Sequence, residues 1–316
     1  MKKIGMLLLA ALLIAGCSTA SPAADPTPSS QPSSEPVTLK ILGPTGAPAL
    51  SLIGAMQQGQ DVTLVDGTDV LQAAFVNPTP EYDVIVAPSN LGAKLAEAGN
   101  TSYKMKAVVT WGNLYLVAAS EQALQQEGTF AAFGENAVPG KVLSTVMDIP
   151  ALNQELVWYN SVAEVQAAML AGQAQVALMA EPAATATISK AAENGVQLQI
   201  VMDLQQQWQQ VTQTEGYPQA ALFVRGDLDD AKAAAVDTLL DQMRDYLAQA
   251  ASDGEKIQQD VEAIGAQTLG VPSGAIIART WPRMNLNIVS ASEVRPELEA
   301  FLNLFGVTDI NAVIAE

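Results

Sequence analysis

The chain has 316 residues, a formal net charge of −18, a single cysteine and no histidine. The negative charge disfavours nucleic-acid binding, and the single cysteine excludes a disulfide bond within the chain. The absence of histidine excludes Ser-His-Asp and Cys-His catalysis and the commonest zinc-binding sets. Carboxylate chemistry remains possible, but no pair of carboxylates is marked out for it, and we expect no cofactor and no metal.

The N-terminus has the pattern of an export signal. Two lysines precede the apolar run 4–14, and two small residues then precede Cys17. A basic start followed by a short apolar run is typical of a secretory signal and is too short to span a bilayer comfortably. The ending Ile-Ala-Gly-Cys resembles the lipobox of bacterial lipoproteins, which implies a signal peptide at 1–16 and lipidation of Cys17. The alternative is an ordinary secretory signal with an incidental cysteine.

The segment 18–36 is predicted to be a disordered tether, because thirteen of its nineteen residues are Ser, Thr or Pro. At roughly 3 Å per residue it reaches on the order of 60 Å at most. With lipidated Cys17 it would hold a globular body, residues 37–316, at the extracytoplasmic face of the cell membrane. Loss of Lys2 and Lys3 with the signal would change the net charge from −18 to −20.

From residue 37 onwards, strand-like and helix-like segments alternate. Short apolar or β-branched runs mark the strands, and apolar spacing, caps and stop signals mark the helices. Ser161 and Glu164 form a capping box that begins one helix. The predicted strands are 37–42, 62–65, 82–87, 107–110, 113–118, 156–159, 176–179, 198–202 and 220–224, and the predicted helices include 49–56, 69–75, 161–171 and apolar stripes within 236–247 and 298–305.

This alternation predicts an α/β fold with mostly parallel sheets and helices on both faces, and the size of the body suggests two lobes. In open sheets of this kind, ligands bind beyond the carboxyl ends of the strands, where the N-termini of helices point. Four strand-to-helix junctions have unusual turn residues, at 43–48, 88–90, 160–161 and 181–182.

These junctions, two aromatic residues and Asn113, which with Trp111 flanks a predicted crossing between the lobes, supply the candidate ligand contacts. We expect the turn at 43–48 to present backbone N–H groups to a ligand, with Gly46 allowing close approach. Simpler interpretations stay open: plain turn chemistry, helix capping by Asn90 and Ser161, a helix-dipole role for Glu181, and hinge packing for Trp111. The candidates are Thr45, Gly46, Ala47, Ser89, Asn90, Trp111, Asn113, Asn160, Ser161, Glu181 and Tyr217.

Residues 157–185, VWYNSVAEVQAAMLAGQAQVALMAEPAAT, resemble a stretch of the solute-binding proteins of the sulfonate/nitrate/taurine and thiamine-precursor import family. The segments PTGAP, YDVIVAPSN and VVTWGNLYLV resemble it too, so the likeness covers most of 38–305. The resemblance implies a type II periplasmic-binding fold. Two lobes would close on a small molecule and deliver it to an ABC permease with its ATPase.

The same resemblance implies that a C-terminal segment completes the first lobe. We therefore expect lobe 1 to comprise 37–117 plus 219–316 and lobe 2 to comprise 118–218, with crossings near 114–118 and 219–223. The protein would act as a monomer, anchored to the membrane by lipid and without enzymatic activity.

The chain departs from the family in its charges. Few basic residues lie near the four junctions, although Arg279 and Arg283 flank a Trp-Pro pair and could reach the cleft. A sulfonate or nitrate would therefore be held mainly by backbone N–H groups, and a neutral or cationic heterocycle ranks slightly above it. Thiamine-precursor synthases of this fold use histidine, which is absent. Two other functions remain open: an enzyme on the same fold and a membrane-tethered sensor module.

Overall fold

Two β-sheets organise residues 37–315, which are the residues that this computed structural model describes. The predicted signal peptide, Cys17 and the tether lie outside the described residues. The elements as far as the sixth strand are β1 (Lys40–Pro44), α1 (Ala47–Ser51), α2 (Ile53–Gln57), β2 (Asp61–Val65), α3 (Asp69–Phe75), β3 (Val84–Pro88), α4 (Ser89–Glu97), β4 (Tyr103–Thr110), β5 (Leu114–Ala118) and β6 (Gly128–Phe133).

The second part of the chain is richer in helix. Its elements are α5 (Val138–Val146), β7 (Gln154–Tyr159), α6 (Val162–Leu170), β8 (Val176–Ala180), α7 (Ala183–Glu193), β9 (Gln199–Asp203), α8 (Leu204–Thr212), β10 (Ala220–Arg225), α9 (Asp230–Ala250), α10 (Gly254–Ile264), α11 (Ala266–Leu269), α12 (Gly274–Thr280), β11 (Leu286–Ser290) and α13 (Arg295–Asn303). A short 3₁₀ turn, Trp281–Met284, connects α12 to β11.

The six-stranded sheet has the strand order β11-β4-β10-β3-β1-β2, and the five-stranded sheet has the order β7-β6-β8-β5-β9. Four strands of each sheet run in one direction, since only β10 and β11 are reversed in the first and only β5 in the second. The predicted α/β fold with two mostly parallel sheets is confirmed.

Each sheet has a reversed strand where the chain enters it from the other sheet. β5 pairs antiparallel with β8 and β9, and β10 pairs antiparallel with β3 and β4. The predicted lobe boundary at 117 placed most of β5 with the first lobe, whereas β5 belongs to the five-stranded sheet. The chain crosses between the sheets at 111–113, between β4 and β5. The predicted boundary differed because the apolar run of β5 identifies a buried strand without identifying its sheet.

The two crossing segments, 111–113 and 213–219, lie side by side. The backbone N–H of Tyr217 donates to the carbonyl of Trp111 at 3.3 Å, and that of Gln219 donates to the carbonyl of Thr110 at 3.0 Å. Gly112 has φ 92°, and a Cβ there would lie 2.6 Å from the ring of Tyr217. The close contact between the crossings therefore requires glycine at position 112.

The core of the six-stranded sheet lies on both of its faces. Leu42 and Ile85 pack on the face covered by α3, α4 and α13, and Ile41 and Val84 pack on the opposite face under α2 and α9. Alternate residues of each strand point to opposite faces, so continuous apolar runs are needed to bury both. The predicted apolar stripes on α9 and α13 are buried in these two cores.

The C-terminal segment returns to the six-stranded sheet. β11 pairs with β4, and the backbone N–H of Met105 in β4 donates to the carbonyl of Val313 at 2.8 Å. None of the helices in residues 37–315 combines the length and the apolar character that crossing a membrane requires.

Candidate functional site

A cavity of about 800 Å³ lies between the two sheets. One wall comes from the six-stranded side: the start of α1 at 46–48, Gln219, and α11 with the residues that follow it, 266–272. The other wall comes from the start of α6 and from residues 180–190, which include the end of β8 and most of α7. Both walls contain segments that directly follow the carboxyl end of a strand, which is where α/β sheets bind ligands.

A smaller cavity of about 410 Å³ shares Pro48 and Gln219 with the larger one. Thr45, Asn90 and Lys94 line it from the six-stranded side, and residues 137–139 line it from the other side. Because the two cavities have residues in common, we treat them as one cleft between the sheets.

The cleft brings together six of the eleven candidate contacts. Gly46, Ala47, Asn113 and Glu181 line the larger cavity, and Thr45 and Asn90 line the smaller one. Ser89, Trp111, Asn160, Ser161 and Tyr217 line neither of them.

Two N–H groups of the turn at 43–48 are used within the fold. The N–H of Thr45 donates to the carbonyl of Val65 at 3.0 Å, and the N–H of Gly46 donates to the carbonyl of Leu269 at 2.8 Å. These two groups are therefore not free for a ligand, and contact of a ligand with Thr45, Gly46 and Ala47 stays a prediction. Gly46 does adopt φ 88°, so its glycine serves the turn that starts α1.

Three of the remaining candidates bond to neighbouring parts of the fold. The hydroxyl of Ser89 donates to the carbonyl of Pro218, and its N–H donates to the carbonyl of Gln219 at 3.1 Å. Ser161 caps α6 by accepting the N–H of Glu164 at 3.3 Å. The carboxylate of Glu164 in turn accepts the N–H of Asn160 at 2.9 Å, so the predicted Ser161 cap is present, and the return bond of the capping box goes to the residue before the N-cap.

The two aromatic candidates belong to the crossings. Tyr217 is fully buried and packs between Trp208 and Phe301, which removes it from the cleft. Burial raises the pKa of its hydroxyl well above the ordinary value, so this group remains a donor, to Oε1 of Gln205 at 2.7 Å. Trp111 lines a separate cavity of about 700 Å³ and donates from Nε1 to the carbonyl of Asn287 at 3.0 Å. Its contacts favour the hinge-packing interpretation.

Glu181 forms hydrogen bonds and an ion pair that connect the two sides of the cleft. Its side chain is fully buried, and its Oε1 accepts Nε of Arg283 at 2.8 Å and the hydroxyl of Thr185 at 2.7 Å. Its Oε2 accepts the N–H of Thr185 in the first turn of α7 at 3.1 Å. Arg283 lies on the turn before β11, so the carboxylate of the five-stranded side is neutralised by a guanidinium from the six-stranded side.

Two further contacts cross between the sheets beside this pair. The hydroxyl of Tyr115 donates to the carbonyl of Arg283 at 3.0 Å, and Nη2 of Arg279 donates to the hydroxyl of Ser189 at 2.9 Å. Burial raises the pKa of the Tyr115 hydroxyl above its ordinary value, which keeps it protonated as a donor. Both arginines therefore reach the opposite side, as their positions beside Trp281-Pro282 suggested.

Asn113 contributes an amide to the larger cavity. Its Nδ2 donates to the carbonyl of Glu181 at 2.9 Å, and the N–H of Glu181 donates to the carbonyl of Asn113 at 2.9 Å. The side chain is only 2% exposed, and among residues 37–315 its Oδ1 has no hydrogen-bond partner. Oε1 of Gln219, a residue that sequence reasoning missed, is likewise buried without a partner in the described chain.

Positive charge is sparse in the cleft. Lys190 lines the larger cavity and Lys94 the smaller one, and both side chains are exposed. Lys94 lies 5.7 Å from the centre of the Phe305 ring. Within 37–315, no group of three or more His, Cys, Asp or Glu side chains is arranged to hold a metal ion.

No protein-family model matches the sequence, and no curated protein sequence matches it. Solved structures do match. An ABC transporter structure from Parabacteroides distasonis has a TM-score of 0.69 and 22% identity over 88% of this chain and 99% of that chain. The periplasmic aliphatic sulphonate binding protein SsuA from Escherichia coli has a TM-score of 0.64 and 16% identity over 89% of this chain and 93% of that chain.

The periplasmic nitrate-binding protein NrtA from Synechocystis PCC 6803 is also similar, with a TM-score of 0.55 and 15% identity over 77% of this chain and 69% of that chain. These structural neighbours are ABC transporter solute-binding proteins, and the resemblance that the sequence indicated is confirmed in the fold. At such identities the likeness establishes the fold, so the chemistry of the cleft has to come from this chain's own residues.

Proposed function

We propose that this protein is an extracytoplasmic solute-binding lipoprotein that captures a small molecule in the cleft and delivers it to an ABC permease. The observation that carries the proposal is the cavity of about 800 Å³ between two sheets joined by two adjacent crossings. Pockets of roughly 300–1,000 Å³ are the usual size for small-molecule sites. The fold of the structural neighbours supports the same role.

The crossings supply a mechanism for capture. In this proposal the two sheets and their helices act as lobes that close over the solute by rotation about 111–113 and 213–219, a familiar hinge closure. The contacts of Arg283 and Arg279 with the opposite side would form on closing and break on opening. Closing would bury the solute against both walls and present one surface to the permease.

The remaining parts of the proposal concern the surroundings of the protein. Lipid on Cys17 would anchor a monomer to the membrane, and the tether would let the body reach the permease and its ATPase. The sparse cationic lining and the negative net charge bear on which solutes enter the cleft.

The test is to block the cleft and to measure solute binding. Ala163 is exposed and lines the larger cavity, and Ala167 lies one helical turn later on α6 and is also exposed. Small molecules released from the purified full chain on denaturation are identified by mass spectrometry, and each is tested for binding by calorimetry. Ala163→Trp should abolish recovery and binding of the released solute, whereas Ala167→Trp should leave both unchanged. Equal behaviour of the two variants would contradict capture in this cleft.

A further inference from the structure

Several N–H groups at the helix N-termini of the cleft are already bonded to groups of the protein itself. At α7, the first-turn N–H of Thr185 is taken by the carboxylate of Glu181, and Arg283 adds its positive charge to the same carboxylate. A carboxylate at this point is the natural partner of a helix N-terminus. The protein has therefore filled its most favourable anion position with its own anion.

The other helix starts give the same result. At α6, Ser161 accepts the N–H of Glu164, and Glu164 accepts the N–H of Asn160. At α4, the N–H of Ser89 donates to the carbonyl of Gln219, and at the entry to α1 the N–H of Gly46 donates to the carbonyl of Leu269. These particular N–H groups are used inside the fold and are not offered to a sulfonate or a nitrate.

The cleft has one hydrogen-bond acceptor whose orientation is fixed, the side-chain amide oxygen of Asn113. The carbonyl of Glu181 can only accept, so the Asn113 atom that faces it must be the Nδ2 donor. The other amide atom of Asn113 is therefore Oδ1, which is buried and unpartnered within 37–315 and belongs to a residue that lines the larger cavity. A buried acceptor without a partner is unfavourable, and a ligand that supplies a donor removes this penalty.

The rest of the larger cavity favours a compact, partly apolar solute. Eleven of its nineteen lining residues are Ala, Val or Pro, such as Ala183, Val271 and Pro272. These eleven apolar residues offer no partner to the hydroxyl groups of a polyol, which costs free energy for each group left without a partner. A ring or short chain with one donor-bearing end fits this wall and Oδ1 of Asn113 together.

We propose that the cleft binds an uncharged or cationic nitrogen compound that donates an N–H group to Oδ1 of Asn113, rather than a sulfonate, a nitrate or another anion. This inference rests on the proposed solute-binding function and adds the chemical class of the solute. Gln219 supplies a second acceptor through Oε1, and the net charge of −18 favours the approach of a cation over that of an anion.

The experiment compares ligand classes and two variants of one residue. The full chain is screened by thermal unfolding and calorimetry against butylamine, 2-aminopyrimidine and cytosine, against butanesulfonate, benzenesulfonate and nitrate, and against any molecule released from the native protein. Asn113→Leu removes both the acceptor and the donor to Glu181, whereas Asn113→Asp keeps an oxygen acceptor, replaces the donor to Glu181 by a second oxygen and adds negative charge.

A matched control exists on β7. Gln154 is buried, donates from Nε2 to the carbonyl of Ala123 at 2.6 Å, and has an unpartnered, buried Oε1, so its bonding is that of Asn113 without the cleft. Gln154→Met measures how much stability the protein loses when such a buried amide is removed away from the cleft. The unfolding temperature of each variant without ligand reports whether it folds, and Asn113→Asp provides the comparison if Asn113→Leu does not.

We expect the bound molecule to carry an N–H donor and no net negative charge. Asn113→Leu should weaken its affinity by about 10- to 100-fold, the effect of one buried hydrogen bond. Asn113→Asp should retain the molecule, and Gln154→Met should leave its affinity unchanged. Binding of a sulfonate or nitrate, or loss of the ligand in Asn113→Asp alone, would overturn the assigned class while solute binding stands. No released molecule and no stabilising probe would overturn solute binding, and this inference with it.

Discussion

Arg283 and Glu181 form an ion pair between the two sides of the cleft, with Nε and Oε1 2.8 Å apart. The carboxylate is fully buried, whereas the guanidinium is 38% exposed. Removing Arg283 should therefore cost more stability than removing the carboxylate of Glu181. Loss of the arginine leaves a buried charge without its counterion, and loss of the carboxylate leaves a cation that water can still solvate.

Arg283→Met should lower the free energy of unfolding by about 1–3 kcal/mol. The cost of breaking a fully buried pair is higher, and the exposure of Arg283 to solvent reduces it. Glu181→Gln should cost less, because the amide keeps an acceptor for Thr185 and leaves no unpaired buried charge. Urea unfolding of both single variants and of the double variant gives the coupling energy, which we expect to be favourable.

Arg279→Met is the matched control for this prediction. Arg279 also reaches across the cleft, but it is exposed and its partner is the neutral hydroxyl of Ser189. Its loss should change the free energy of unfolding by less than about 0.5 kcal/mol. If Arg279→Met costs as much as Arg283→Met, the buried carboxylate is not the reason for the effect.

Gly46→Ala should destabilise the protein mainly through its backbone. Gly46 has φ 88° and ψ −148°, a conformation that essentially only glycine adopts, and a Cβ there meets no atom within 4 Å, so strain is the only direct cost, about 1–3 kcal/mol. Gly59 has φ 82° and equally open surroundings, and it does not line the cleft. Thermal unfolding should show a loss of stability for both Gly46→Ala and Gly59→Ala. A solute affinity that falls only in Gly46→Ala would show that the ligand approaches this turn closely.

The local signals of the sequence predicted the elements well. Apolar runs such as Val84–Pro88 gave the strands, and the spacing of Ser161 and Glu164 gave the start of α6. These features depend on neighbours a few residues apart, where backbone preference and side-chain spacing decide the structure. The same reasoning placed Glu181 at the cleft from its strand-to-helix junction and Asn113 from its position beside the predicted crossing.

Contacts between distant segments were beyond that reasoning. The N–H of Gly46 is taken by Leu269, and Glu181 is paired with an arginine 102 residues away. Tyr217 is buried because Phe301 on α13 stacks on it, at 6.0 Å between ring centres. Such partners depend on how the returning helices pack, and neither turn chemistry nor periodicity carries that information. The direction of β5 and its sheet were undetermined for the same reason.

High pH should unfold the protein through its buried tyrosines. Burial raises the pKa of Tyr103 from 10.0 to about 12, and the pKa values of Tyr115 and Tyr217 are raised in the same direction. The folded state favours the protonated hydroxyl. The contribution of Tyr103 to the free energy of unfolding is therefore fully present below pH 10 and is lost as the pH rises from about 10 to 12. Stability measured by urea unfolding should fall through this window.

Tyr217→Phe tests that pH dependence at one position. The variant loses the hydrogen bond to Gln205 and should cost about 1 kcal/mol at neutral pH. It also removes one ionisation of the unfolded state, so its loss of stability relative to the parent should shrink above pH 10. A difference that stays constant across the alkaline range would contradict the assignment of this titration to Tyr217.

Cys17→Ser should release the protein from the membrane. The Ile-Ala-Gly-Cys ending predicts lipid on this cysteine, and one acyl chain alone holds a protein only marginally, whereas a multiple-chain anchor holds it stably. Wild-type protein should fractionate with membranes and show the added lipid in its intact mass, and Cys17→Ser should appear in the soluble fraction. Ser18→Ala keeps the cysteine and should remain with the membranes. Wild-type protein without lipid, together with a Cys17→Ser variant that stays in the membrane, would leave only the ordinary secretory signal.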